Sequence, residues 1–150
     1  MLSVVCCQLN NKSKGVNLKT NFESLRIYKL SEDLSDLIWD IVNEWEKFSR
    51  NTIGSQIVRS SDSIGANIAE GNGRGTYNEN RRFAKIARGS LFETKHWLRR
   101  AVKRNLLTKM QIEKLKTIID ELSPKLSSYI NSIGNLKQLS TDDGQRTIVQ

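Results

Sequence analysis

The chain has 150 residues, 37% of them hydrophobic and 27% charged, a balance that suits one soluble domain with a modest core. Its net charge of +8 and pI near 9.7 favour polyanionic partners, nucleic acid ahead of an acidic membrane surface. No apolar run approaches the roughly 20 residues that cross a bilayer. The two cysteines, Cys6 and Cys7, are neighbours and cannot staple a core. A chain with one histidine, His96, hardly supplies a zinc site. The expectation is a cytoplasmic protein with no membrane association, no metal and no cofactor. The opening MLSVVCCQLN lacks the basic start and the apolar length of an export signal.

Residues 1–24 mix Asn, Lys, Ser and Gly without a period and are expected to form a flexible leader. From Ile27 to Phe48, Leu30, Leu34, Leu37, Ile38, Ile41, Val42 and Trp45 recur at spacings of three and four, which predicts an amphipathic first helix. Asn51 and Thr52 offer an N-cap for a second helix marked by Ile53, Ile57, Ile64 and Ile68. Its packing face includes Ser60, Ser61, Gly65, Ala66 and Ala69, which let a neighbouring backbone come close. Gly71 is placed to end it in the left-handed conformation.

Thr76 and Glu79 predict a capping box for a third helix, whose inward seam runs Tyr77, Asn80, Ala84, Ala87, Leu91, Thr94, Leu98 and Ala101. Gly89 interrupts it at a cost of about 1 kcal/mol relative to Ala, which suggests close approach of another segment. Thr108 and Gln111 predict a second box. A fourth helix follows through Ile112, Leu115, Ile119, Leu122, Leu126, Tyr129, Ile130 and Ile133, bent or split near Pro124. It should end at Gly134, with 135–150 a flexible tail. Four helices with short connections over residues 25–134 predict an all-α, up-down-up-down four-helix bundle.

Chemistry concentrates on the third helix. Between Thr76 and Arg104 nine Lys or Arg residues face two acids, Glu79 and Glu93, an excess of seven positive charges. Arg81, Lys85, Arg88, Lys95, Arg99 and Lys103 fall along one side, and Arg82, Arg100 and Arg104 widen the stripe. Such a row can meet consecutive phosphates and gain free energy by counterion release. The first helix is its opposite in sign, with Glu32, Asp33, Asp36, Asp40, Glu44 and Glu46 on its outer positions. The bases could therefore answer those acids, within one chain or between copies, or merely be solvated.

The turn GNGRG places Arg74 before a helix N-terminus, where an anion is favoured. Without a preceding strand or a Gly-Lys-Ser/Thr ending it implies neither a P-loop nor a dinucleotide fold, and a tight turn is the simpler reading. Glu93 and His96 make a single Glu-x-x-His, short of the ligands a di-iron bundle needs. No arrangement of Ser, His and Asp marks an active site. Ser63, Asn67 and Glu70, with Glu93, are expected to form a structural polar network between the second and third helices. Arg59 with Ser63, and Glu70 with Arg74, stand at i and i+4.

The residues Gln56, Ile57, Arg59, Ser63 and Ile64, the block Ala66-Asn67-Ile68-Ala69-Glu70-Gly71, then Gly73-Arg74, Phe83, Ile86-Ala87, Gly89-Ser90 and Glu93 carry a family pattern. It resembles that of the four-helix bundle proteins named for 23S rRNA intervening sequences. The likeness covers roughly Tyr28 to Ile130. It departs at Gly65, where proline or a small residue is common, and at Ser60, Ser61 and Asp62, which replace a mostly alanine-like stretch. The resemblance extends to the accessory variability determinant of diversity-generating retroelements, a basic nucleic-acid-binding partner of a reverse transcriptase. It implies a small non-enzymatic protein, a homopentamer with a nucleic-acid role. The expected interface is Arg59 and Arg74 with Arg81, Arg82, Lys85, Arg88, Lys95, Arg99, Arg100 and Lys103. The other reading is an assembly or adaptor module whose basic helix binds an acidic protein.

Overall fold

The computed structural model describes residues 21–143, and among them every regular element is helical. Helix α1 spans Arg26–Asn43, α2 Ser55–Gly73, α3 Tyr77–Lys103 and α4 Lys109–Asp143. A 3-10 turn at Asn21–Ser24 precedes α1, and Phe22 sets its ring edge-on to Tyr28 at 4.9 Å. The last residues of the expected leader are therefore structured. Residues 1–20, with Cys6 and Cys7, lie outside the described residues.

Helix α1 packs on α2 and α4, and α3 also packs on α2 and α4, whereas the backbones of α1 and α3, and of α2 and α4, do not approach each other. Close backbone packing between chain neighbours, closed by the first and last helices, defines an antiparallel up-down-up-down bundle. Helices α1 and α3 stand at opposite corners of it. Leu34 and Ile38 of α1, Ile57, Ile64 and Ile68 of α2, Leu91 of α3 and Leu122, Leu126 and Ile130 of α4 are fully buried at the centre. The three-four spacing of these residues aligns them on one stripe per helix, so four short stretches of sequence close a single core.

Helices α2 and α3 pack most extensively, through small buried residues on both, Ser60 and Gly71 on α2 and Ala84, Ala87 and Ala101 on α3. A Cβ at Gly71 would sit 2.7 Å from Phe83 Cβ and 3.2 Å from the Asn80 carbonyl oxygen. Gly71 is thus a packing glycine and does not reverse the chain. The helix runs on to Gly73, and Gly75 takes the positive φ of 75°.

The entry to α2 also differs from expectation. The first helix ends at Asn43 rather than Phe48, and a helical turn at Lys47–Ser49 passes through a π-helical turn at Arg50–Gly54 directly into α2. Asn51 and Thr52 therefore lie inside a turn instead of capping one, and Thr52 Oγ1 donates to the Phe48 carbonyl at 2.8 Å. The wider π turn seats Gly54 against the end of α1, where a Cβ would lie 2.6 Å from Val42 Cγ1.

At the start of α3, the Glu79 N–H donates to Thr76 Oγ1 at 3.3 Å, but the Glu79 carboxylate turns to Arg82, so half of the expected box forms. Asn105 ends the helix with φ 57°: the Leu106 N–H donates to the Ala101 carbonyl and the Asn105 N–H to the Val102 carbonyl, both at 3.0 Å. The Thr108 and Gln111 box is complete, with bonds of 2.9 and 3.2 Å. Helix α4 is continuous through Pro124 and past Gly134. Proline deprives the Asp120 carbonyl of its N–H donor, but Asp120 is exposed to water, which can replace it. Much of the expected tail is thus helical, and residues 144–150 lie outside the described residues.

Candidate nucleic-acid interface

Ala84, Ala87, Leu91, Thr94, Leu98 and Ala101 turn the seam of α3 inward. Tyr77, expected in that seam, is 52% exposed, and Asn80 is half-buried. At 100° per residue, Arg81, Lys85, Arg88, Lys95, Arg99 and Lys103 share one flank of the helix. Two contacts show that this flank adjoins α4: Arg81 Nε donates to the Ile130 carbonyl at 3.4 Å, and Lys95 Nζ donates to Ser123 Oγ at 2.8 Å. Lys85, Arg99 and Lys103 are exposed and Arg88 is half-exposed. Among the described residues none of these six cations forms an ion pair.

The same spacing puts Glu79, Ile86 and Glu93 well around the helix from the ridge, so both acids of the helix are kept off the α4 side. Arg82 pairs with Glu79 at 3.7 Å. Arg82 and Arg100, both exposed, stand about 60° around the helix from Lys85 and Lys103 and border the ridge on its outer side, and Arg104 is the C-cap residue. A shallow concavity of about 400 Å³, lined by Asn78, Arg81, Arg82, Lys85 and Ile86, lies beside the ridge near the start of α3.

Arg59 is exposed on α2, and Arg74 lies just beyond its end; neither belongs to the ridge. Arg74 hydrogen-bonds Glu70, and its guanidinium carbon is 5.2 Å from the centroid of the Phe83 ring. The hydrogen bond that Arg74 donates to Glu70, then the Glu70 charge, hold the Arg74 pKa above the ordinary value. The cation expected beside a phosphate in the GNGRG turn is thus already paired.

The expected polar network does not join α2 to α3. Ser63 Oγ donates to the Arg59 carbonyl, Asn67 Nδ2 to the Ser63 carbonyl, and Trp97 Nε1 to Glu93, each within its own helix. The polar links between helices are elsewhere. Thr94 Oγ1 meets Ser60 Oγ at 3.0 Å inside the core, and the Tyr129 hydroxyl receives Asn72 at 3.3 Å and Asn80 at 3.1 Å. Sequence reasoning placed Asn80, Thr94 and Tyr129 on apolar seams, and their polar atoms were the signal that those seams are bonded as well as packed. His96 is exposed, edge-on to Trp97 at 5.0 Å. Among the described residues no three His, Cys, Asp or Glu side chains come together.

Glu32, Asp33, Asp36, Asp40, Glu44 and Glu46 are all exposed. Because α1 and α3 are diagonal, these acids cannot neutralise the ridge within one protomer. Asp62 of α2 extends the acidic edge: its carboxyl is held above the usual range by lost solvation, with the Asp36 charge adding and the Ser35 hydroxyl opposing. The protomer is basic along one edge and acidic along the diagonal one. One exposed residue on the ridge went unnoticed in the sequence. Phe92 is 59% exposed, one turn from Arg88 and Lys95, and its position off the apolar seam is what could have revealed it.

A four-helix bundle with one acid-free basic flank defines the class. The model of the 23S rRNA-intervening sequence protein family matches residues 23–128, and the chain belongs to that family. Its fold is similar to the crystal structure of a protein with unknown function from the S23 ribosomal protein family of Bacteroides thetaiotaomicron VPI-5482. The TM-score is 0.62 at 26% identity, covering 70% of this chain and 95% of that one. None of the curated proteins compared matches the chain. No helix among the described residues is long and apolar enough to cross a membrane.

Proposed function

We propose that this protein is a non-enzymatic cytoplasmic nucleic-acid binder that lays the backbone of RNA or DNA along the α4-side flank of α3. The observation that carries the reading is the row from Arg81 to Lys103, six cations over about 33 Å at the usual helical rise, with no carboxylate paired to any of them. Binding of this kind follows phosphate spacing and has little sequence preference. The diagonal acidic edge repels a polyanion and so orients it toward α3. That edge also has the sign that a neighbouring copy's basic row at Arg82 and Arg100 requires, which favours head-to-tail closure into a homo-oligomer. Five copies are what the family resemblance implies.

The test is a mobility shift with labelled RNA and duplex DNA at low salt, comparing the protein with a Lys85→Glu, Arg88→Glu, Arg99→Glu variant. Loss of the shift with an unchanged helical spectrum supports the placement, and retained affinity refutes it. A second reading, an adaptor that binds an acidic protein such as a reverse transcriptase or a sister subunit, is favoured by Ile86, 43% exposed among the bases. A co-purified protein that the triple variant no longer retains, with no nucleic-acid shift, decides for it.

A further inference from the structure

We infer that the ridge takes single-stranded nucleic acid, with an unpaired base stacked on the exposed ring of Phe92. The inference rests on the proposed function above and adds strandedness to it. Phe92 stands at the middle of the flank. Its helical neighbours there are Lys85 and Arg88 before it and Lys95 and Arg99 after it, four cations and no acid.

Two details of the surroundings make the ring a platform rather than a stray apolar group. Lys95 Nζ lies over it, 5.6 Å from its centroid, and is held there by its hydrogen bond to Ser123 on α4. A helical side chain leans over the turn that precedes it, which for Phe92 is the turn of Gly89. A Cβ at Gly89 would meet nothing within 4 Å, so no close approach inside the protomer accounts for a glycine in mid-helix. What Gly89 does is leave the surface beside Phe92 open. A flat group can enter there while phosphates on either side reach Lys85, Arg88 and Arg99.

In a duplex the base faces are covered by their neighbours, and an aromatic ring among phosphate-binding cations has nothing to stack on. In a single strand every base offers a free π face, and aromatic residues interleaved with cations are the common solution for binding it. A base on Phe92 would fix the register of the strand without reading its sequence.

The experiment measures affinity by fluorescence anisotropy for a labelled homopolymeric single strand and for a duplex of equal length. It compares the unaltered chain with Phe92→Ala, Phe92→Leu, Phe92→Trp and the Lys85, Arg88, Arg99 triple variant. Phe92→Ala and Phe92→Leu are expected to weaken single-strand binding about 10-fold and duplex binding less than about 2-fold, while Phe92→Trp preserves both. Equal losses for single strand and duplex, or full rescue by Leu, overturn the stacking. Rescue by Leu with a change in sedimenting mass assigns the ring to a contact between copies. If the triple variant loses both ligands while Phe92→Ala keeps its single-strand affinity, the ridge stands and the stacking falls. If the triple variant loses neither, both fall.

Discussion

Thr94 Oγ1 meets Ser60 Oγ at 3.0 Å in the buried seam between α2 and α3, joining the two most extensively packed helices through a polar contact. Both hydroxyls also reach carbonyls of their own helices, Thr94 to Ser90 and Ser60 to Ile57. Thr94→Val keeps the shape and removes the bond, and should lower unfolding free energy by about 1 kcal/mol in denaturant titration. The double variant with Ser60→Ala should lose less than the two single losses combined, because no polar atom is left facing an apolar one.

Two glycines, Gly71 of α2 and Gly89 of α3, should respond oppositely to alanine. Gly71→Ala drives a Cβ into Phe83 and the Asn80 carbonyl and should cost about 1–3 kcal/mol. Gly89→Ala meets open space in a helix interior and should stabilise by about 1 kcal/mol. Melting curves of the two variants against the unaltered chain check both signs.

The bundle itself was legible in the sequence, because the spacing of Leu34, Ile38, Ile57, Ile64, Leu91, Leu122 and Leu126 admits no other buried face. The junctions were less so. Asn51 and Thr52 have the composition of a cap, yet the fit of Gly54 against Val42 draws them into a π turn, and only the tertiary contact reveals that. Gly71 and Gly75 look alike in sequence and differ in role because Phe83 lies over one of them. The ridge was legible as spacing, but that its acid-free flank lies beside α4 needed the positions of Ile130 and Ser123.

Acid and neutral pH should separate two carboxylates. Asp62 has its pKa raised by lost solvation, so ionising it disfavours the fold, and that penalty is absent below the carboxylate range and grows as pH rises through it. Asp62→Asn should therefore raise the melting temperature at neutral pH, with the gain closing on acidification. Glu121, whose pKa is lowered by the hydrogen bond from Arg26 at 2.9 Å, contributes stability that is lost as pH falls through its folded value. Glu121→Gln should lower the melting temperature at neutral pH, and that difference too should close in acid.

Self-association should depend on salt if the acidic edge of one copy meets the basic row of the next. Asp36→Lys with Asp40→Lys should reduce the mass seen by light scattering at low ionic strength, and pairing it with Arg82→Glu and Arg100→Glu should restore part of it.

The most direct measurement is the salt dependence of nucleic-acid affinity. Six ridge cations on six phosphates should give a slope of log affinity against log salt of about −4 for a single strand, and the Lys85, Arg88, Arg99 charge-reversal variant should bind too weakly to measure. A slope near zero, or an unchanged affinity in that variant, would contradict the account.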